Sequence, residues 1–370
     1  MDTHPLHPAV SVTHRTELQS RATLALRLQS VRMLQMSERD VAAFIQSVES
    51  EPDFGKLIHP QDRSWKVIRF QPHPRTSLSP SFYQMNENTP LASGGSDAAS
   101  VLVKGRGALG LIKKMGQELF EKYFLRADHE MDSFTLSHLL KIKESDIKKI
   151  RDFLLSYSVQ TEFFDPSPRS QPGQHVVRLA RVNLDEKKDP IFEFMSPLLA
   201  RGRYAIDYDR LWAVLKNPDL PVGQRNSLKS LIRRLEMINW RQNTIYRILE
   251  RLCHAQRHYL SSQDVLKKTP ITQRQMSHQL AVAPSTINRA IGGRSLVLPW
   301  GEELLLEEMF CSRQSLCVEI LEVLEVEDPE FSKRTDHELQ DHFKSRLNIM
   351  VPRRTINNYR RSMAKISKKA

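Results

Sequence analysis

Val351 to Arg361 reads V-P-R-R-T-I-N-N-Y-R-R, a short run that alternates apolar residues with arginine and asparagine. Pro352 suits a first helical turn, because its fixed φ and missing N–H cost nothing there. A helix starting at that proline puts Ile356, Tyr359 and Met363 on one face at three- and four-residue spacing, and this face is expected to pack inward. Arg353, Asn357 and Arg360 then form one outer ridge, with Arg354, Asn358 and Arg361 beside it. Arginine matches the major-groove edge of guanine and asparagine that of adenine, so the polar side suits base reading. The same charge pattern would also suit a solvated basic helix. Upstream, Thr335 and Glu338 have capping-box spacing, and Leu339 with Phe343 makes an apolar i, i+4 pair on the helix that follows. Helix, turn at Leu347 to Val351 and second helix is helix-turn-helix order.

Arg353-Arg354-Thr355 followed by Tyr359-Arg360 resembles the signature box of the bacterial sigma-54 family, A-R-R-T-V-A-K-Y-R-E, with the same internal spacing. Pro352 stands for the family alanine, Asn358 for its lysine and Arg361 for its glutamate. The resemblance implies that Arg353, Arg354, Thr355, Asn357, Asn358, Tyr359 and Arg360 meet an upstream GG promoter element.

A second candidate lies at Ile271 to Gly293, I-T-Q-R-Q-M-S-H-Q-L-A-V-A-P-S-T-I-N-R-A-I-G-G. Met276, Leu280, Val282, Ile287 and Ile291 supply a small core for two crossing helices, with a tight turn at Ala281 to Ala283. Pro284 opens the second helix, leaving Ser285 and Arg289 one turn apart with Asn288 adjacent. This run resembles the family stretch I-A-D-E-L-G-M-H-E-S-T-V-S-R, sharing Leu280, Ser285, Thr286 and Arg289. By resemblance Ser285, Thr286, Asn288 and Arg289 meet the downstream GC element. Pro299-Trp300-Gly301 keeps the family's following turn but replaces its arginine.

Composition agrees with a polyanionic partner. The 370 residues carry a net charge of +12, and Phe331 to Ala370 holds eleven Lys/Arg against three Asp/Glu. No apolar run reaches the roughly eighteen residues of a membrane span, and Met1 to Glu17 lacks a signal-peptide core, so a cytoplasmic protein without membrane association is expected. Three cysteines, Cys253, Cys311 and Cys317, form no close pair, as fits a reducing compartment.

The length suggests several domains. Arg21 to Glu51 has helical periodicity, and Leu34-Gln35-Met36-Ser37 with a closing Glu51-Pro52 resembles the family's regulatory N-terminus, L-Q-L-S and E-N-P. Pro52 to Lys104 is rich in Pro, Ser, Asn and Gly and reads as a linker with one short strand at Trp65 to Phe70. Leu109 to Phe164 is helical by pattern, Val176 to Val182 and Ile191 to Phe194 read as strands, and helices resume at Tyr208. Leu231 to Leu260 resembles the end of the family's core-polymerase-binding region, where Arg241, Thr244, Arg247, Gln256 and Arg257 fall on family positions.

The expected organisation is mainly α and multidomain: a regulatory region over 1–52, a flexible linker over 53–106, a core-binding region over 107–260, then two helix-turn-helix type domains over 261–325 and 326–370. Gly105 to Gly110 satisfies G-x-G-x-x-G but without βαβ alternation around it, and reads as a hinge. His254 and His258 share one helix face with no second ligand cluster, and no catalytic constellation appears, so neither metal, cofactor nor enzymatic activity is expected. The resemblance implies an initiation factor that binds core RNA polymerase and promoter DNA and waits for an ATP-hydrolysing AAA+ activator. The rivals are a helix-turn-helix regulator that binds DNA without polymerase, and a recombinase or transposase.

Overall fold

The computed structural model describes residues 31–80, 82, 107–125, 133–164, 176–327, 333–347 and 350–366. In chain order these include α1 (Glu38–Glu49), α2 (Pro52–Ile58), β1 (Ile68–Gln71), α3 (Ser133–Leu140), α4 (Glu144–Phe164), β2 (Val177–Leu184), β3 (Pro190–Phe194), β4 (Arg203–Ile206), α5 (Tyr208–Lys216) and α6 (Val222–Ala255). They continue with α7 (Gln273–Leu280), α8 (Pro284–Ile291), β5 (Arg294–Val297), β6 (Glu303–Leu305), α9 (Arg313–Glu327), α10 (Asp336–Leu347) and α11 (Arg353–Ile366). The protein is mostly helical. It divides into two compact units, one of Met1–Pro166 with Phe194–Tyr246 and one of Ser167–Glu193 with Arg247–Ala370.

The first unit is assembled on α6. Leu228, Leu231, Leu235 and Ile238 recur at helical spacing and are buried together with Val41, Ala42, Ile45 and Val48 of α1 and Leu211, Val214 and Leu215 of α5. Ser37 caps α1 by accepting from the Asp40 N–H at 3.1 Å. Arginine–carboxylate pairs then tie the N-terminal part to the rest of this unit. Arg241, fully buried, donates from Nε to the Met33 carbonyl at 3.0 Å and meets Glu38 at 2.5 Å. Arg234 pairs with Glu51, and Arg201 pairs with Glu49 while lying 4.0 Å above the Phe70 ring. Tyr204 also donates to Glu49, and burial, with the Glu49 charge beside it, holds its phenol well above the usual range.

β1 and β4 pair antiparallel from Ile68 opposite Ile206 to Gln71 opposite Arg203. Gly202 precedes β4 at φ +81°, and a Cβ there would lie 2.3 Å from the Gln71 carbonyl oxygen. Residues 52–71, read from sequence as the start of a linker, thus form α2, a 3-10 turn and β1, with Phe54, Leu57, Ile58, Val67 and Ile68 in the same core as α1. The Pro and Gly that suggested a loop are instead used at the first turn of α2 and within it, and the expected strand appears as Ile68–Gln71. Residues 72–80 of the expected linker are also described and include a short strand at Thr76–Leu78, whereas 83–106 lie outside the described residues. Leu34 is buried and Met36 packs on the core, whereas Gln35 is exposed.

In the second unit the strands expected from sequence appear as β2 and β3, neighbours in one sheet. β5 lies on the other side of β2 and pairs with it in parallel, Val177 opposite Arg294, and β6 pairs antiparallel with β5. Local periodicity could not announce β5. A parallel partner more than a hundred residues away leaves no turn signal to read.

His73 stacks on Tyr246 at 4.2 Å and 6° inside the first unit. Burial, with Arg203 nearby, pushes its imidazole down from 6.5 to about 4. The unfolded chain therefore takes up this proton first: the stability is fully present above pH 6.5 and is lost as pH falls toward 4, by up to about 3 kcal/mol. Urea unfolding of the first unit should show this slope, and His73→Phe should flatten it; an unchanged slope would place the acid sensitivity elsewhere.

Candidate nucleic-acid interface

The central candidate element is built by short-range rules. Thr272 caps α7 by accepting from the Gln275 N–H at 3.2 Å, while Gln275 Oε1 accepts from the Thr272 N–H at 2.8 Å, a reciprocal capping box. Ala281 ends the helix in the left-handed region at φ +54°, a position glycine usually takes, and the Val282 N–H closes back on the Ser277 carbonyl. Pro284 then starts α8 at its first turn. Met276, Leu280, Ile287 and Ile291 are buried as their spacing required, and Val282 is half-buried. Ser285 and Asn288 stand exposed on α8, with Thr286 and Arg289 half-buried beside them.

Arg294 supplies the stop that sequence reading missed. Buried at the start of β5, it donates to the carbonyls of Arg289 and Ala290 at 3.1 and 2.8 Å, so the last turn of α8 is held by a cation favoured by the helix dipole. The turn expected at Pro299 to Gly301 is present, with Gly301 at φ +91°. Trp300, where the family has arginine, packs edge-on against Tyr259 at 5.4 Å and donates to Glu302 at 3.0 Å.

The terminal element has its own core of Leu316, Cys317, Ile320 and Leu321 from α9, Leu339 and Phe343 from α10, and Val351, Ile356 and Tyr359 around α11. α9, most of which precedes the boundary expected at 326, is thus the first helix of this core. Thr335 and Glu338 form the expected capping box at α10, which draws the Glu338 carboxyl below its usual range. Tyr359 donates to Glu325 at 2.8 Å, and burial together with that bond raises its phenol above the usual range. Tyr359, a candidate DNA contact by resemblance, is therefore turned inward.

The two outer ridges of α11 are not equivalent. Asn357 donates to Asp336 at 3.2 Å; Arg360 pairs with the same carboxylate at 3.2 Å and also donates to the Arg334 carbonyl. Arg353, Arg354, Asn358 and Arg361 are exposed, with Thr355 half-buried. The face open to a groove is the 354–358–361 ridge with Arg353 at its start. Sequence reading ranked the ridges equally because Asp336 sits seventeen residues before the helix and no local pattern ties it to Arg360. Met363 side-chain placement lies outside the described residues.

The residues matched to polymerase binding separate similarly. Arg247 is exposed, whereas Thr244 is buried and donates to the Trp240 carbonyl, and Arg241 is spent inside the first unit. Gln256, fully buried, holds backbone groups of Thr269 and Met309. Among the described residues no group of three His, Cys, Asp or Glu side chains is placed to hold a metal ion.

Residues 223–369 match the family model described as Sigma-54, DNA binding domain. The match contains α7, α8 and α11, and leaves residues 1–222 outside it. No curated protein matches the chain.

Asp336→Ala should loosen α11 without touching its exposed ridge. Losing a shared acceptor for Asn357 and Arg360 costs about 1 to 3 kcal/mol, so amide exchange in α11 should accelerate by about fivefold to a hundredfold. Arg354→Ala should leave that exchange unchanged, and equal effects of the two substitutions would show that Asp336 does not hold the helix.

Proposed function

We propose that this chain, which belongs to the sigma-54 family of non-enzymatic transcription initiation factors through its DNA-binding domain, carries core RNA polymerase to promoters bearing an upstream GG and a downstream GC element. The observation that carries the base-reading part is the exposed ridge of Arg353, Arg354, Asn358 and Arg361 on a helix whose other face is buried. Arginine forks and carboxamides presented side by side from a fixed helix are what major-groove readout requires. Ser285 and Asn288, exposed one turn apart on α8 with Arg289 beside them, support a second contact with the downstream element. Two dissimilar reading helices in one chain remove the need for a two-fold symmetric dimer on a palindrome.

Polymerase binding rests on family membership and on the surface of α6 around exposed Arg247. Arg241 and Thr244 contribute to that surface only by keeping α6 in place. Activator dependence rests on the resemblance of residues 34–52 to the regulatory element. Because Leu34 and α1 are built into a core and pinned by arginines, an activator would act on a docked element and not on a freely swinging arm. Among the described residues no helix is long and apolar enough to cross a membrane.

Full-length protein should co-elute with core RNA polymerase in the absence of DNA. Failure to do so, with DNA binding intact, would favour a regulator that acts alone. On duplex DNA, Arg354→Ala should lose about 1 to 3 kcal/mol of preference for GG over substituted elements. A uniform loss on every sequence would reduce Arg354 to a phosphate contact.

A further inference from the structure

We propose that the two DNA-reading elements are joined by a rigid buried joint, and that Gln256, Lys268 and Glu319 are positioning residues that set the spacing between the two DNA elements the protein accepts. The inference rests on the function proposed above and names how that same site measures its substrate.

The joint is visible where the chain enters and leaves the central element. Residues 269–271 lead into α7, and 309–311 lead out of the turn that follows β6. The Gln256 side chain, 1% exposed, donates to the Thr269 and Met309 carbonyls at 2.8 and 3.2 Å and accepts from the Thr269 N–H at 2.8 Å. The Cys311 N–H donates to the Ile271 carbonyl at 3.0 Å, closing the base of the element. α9 then begins at Arg313, capped by the Ser312 hydroxyl, so no free linker separates the central element from the terminal core.

The same segment grips α9 from the side. Val265 and Leu266 pack against the terminal core, and Lys268, 8% exposed, reaches both carboxylate oxygens of Glu319 on α9 at 2.8 and 3.0 Å. Its ammonium also lies 5.6 Å from the centre of the Tyr259 ring, against which Trp300 packs. A buried ammonium held by one carboxylate and an aromatic face has a single good position. With Gln256 it locks the base of α7 and α8 to the helix that carries α10 and α11.

A fixed joint has a direct consequence on DNA. Adding one base pair between two elements moves the second by about 3.4 Å along the axis and about a tenth of a turn around it. A rigid reader cannot follow both displacements, whereas two modules on a flexible linker could.

The test uses full-length protein and fluorescent duplexes carrying GG and GC elements with the spacer varied one base pair at a time, alongside duplexes with a single element or scrambled sequence. Wild-type protein should prefer one spacer over its neighbours by about tenfold or more. Two variants should flatten that profile to within about threefold while single-element binding stays unchanged. Lys268→Met removes the ammonium and leaves Glu319, 36% exposed, to water; insertion of two glycines between Cys311 and Ser312 lengthens the joint and keeps the Ser312 cap. A variant that lost single-element binding through misfolding would be set aside and the profile read from the other. Wild-type spacing selectivity retained in the variants, or a flat wild-type profile with both elements still recognised, overturns the inference alone. Failure to prefer either element over scrambled DNA overturns the function proposed above and this inference with it.

Discussion

A guanidinium with no access to water must be given partners by the fold, and Arg241 on α6 imposes that condition on the first unit. Its charge is met by Glu38 and by the Met33 carbonyl, so the chain before α1 and the first turn of α1 are brought to the long helix at a defined depth. Val41, Ile45 and Val48 then share one core with the leucine stripe of α6. A mispaired buried charge would cost several kcal/mol, so the arrangement selects one register among the many that an apolar stripe alone would tolerate. Arg201 and Arg234 repeat the device at Glu49 and Glu51. The polar pairs specify what the apolar contacts stabilise.

The same division appears at the reading surface. Ile356 and Tyr359 bury one side of α11, but apolar burial is non-directional and does not by itself fix the helix's rotation. Asp336 removes this freedom by taking Asn357 and Arg360, and Glu325 does so from the other side through Tyr359. Two of the six polar residues on the outer ridges, Asn357 and Arg360, are thereby engaged within the protein. The engaged residues orient the exposed ones, which lowers the entropy lost when a groove is met.

The central element illustrates how residues proposed to position the two reading helices can hide among structural ones. Gln256 and Lys268 lie outside both helices proposed to read DNA, in a stretch that reads as the tail of an α-helical region. Their chemistry becomes apparent only when the Met309 carbonyl and the Glu319 carboxylate, each more than fifty residues later, are placed against them. Trp300 shows the converse. In place of a family arginine it abandons a charge and gains an aromatic contact with Tyr259, so the turn keeps its shape by packing.

Much of this was legible along the chain. The period of Ile356 and Tyr359, the Thr335–Glu338 capping box, the turn at Ala281 and the proline starts of α8 and α11 all depend on neighbours within about four residues, where backbone geometry leaves few choices. Side-chain type at those positions was enough to point to base reading and, by resemblance, to the sigma-54 family. The tertiary structure decided which of those polar residues remain available. Asp336 claims Arg360, Arg294 closes α8 from a strand, Glu38 claims Arg241, and residues 52–71 fold into a core instead of linking two. Each is a pairing between distant segments whose free energy comes from removing water from both partners at once, and no periodicity in either segment records it.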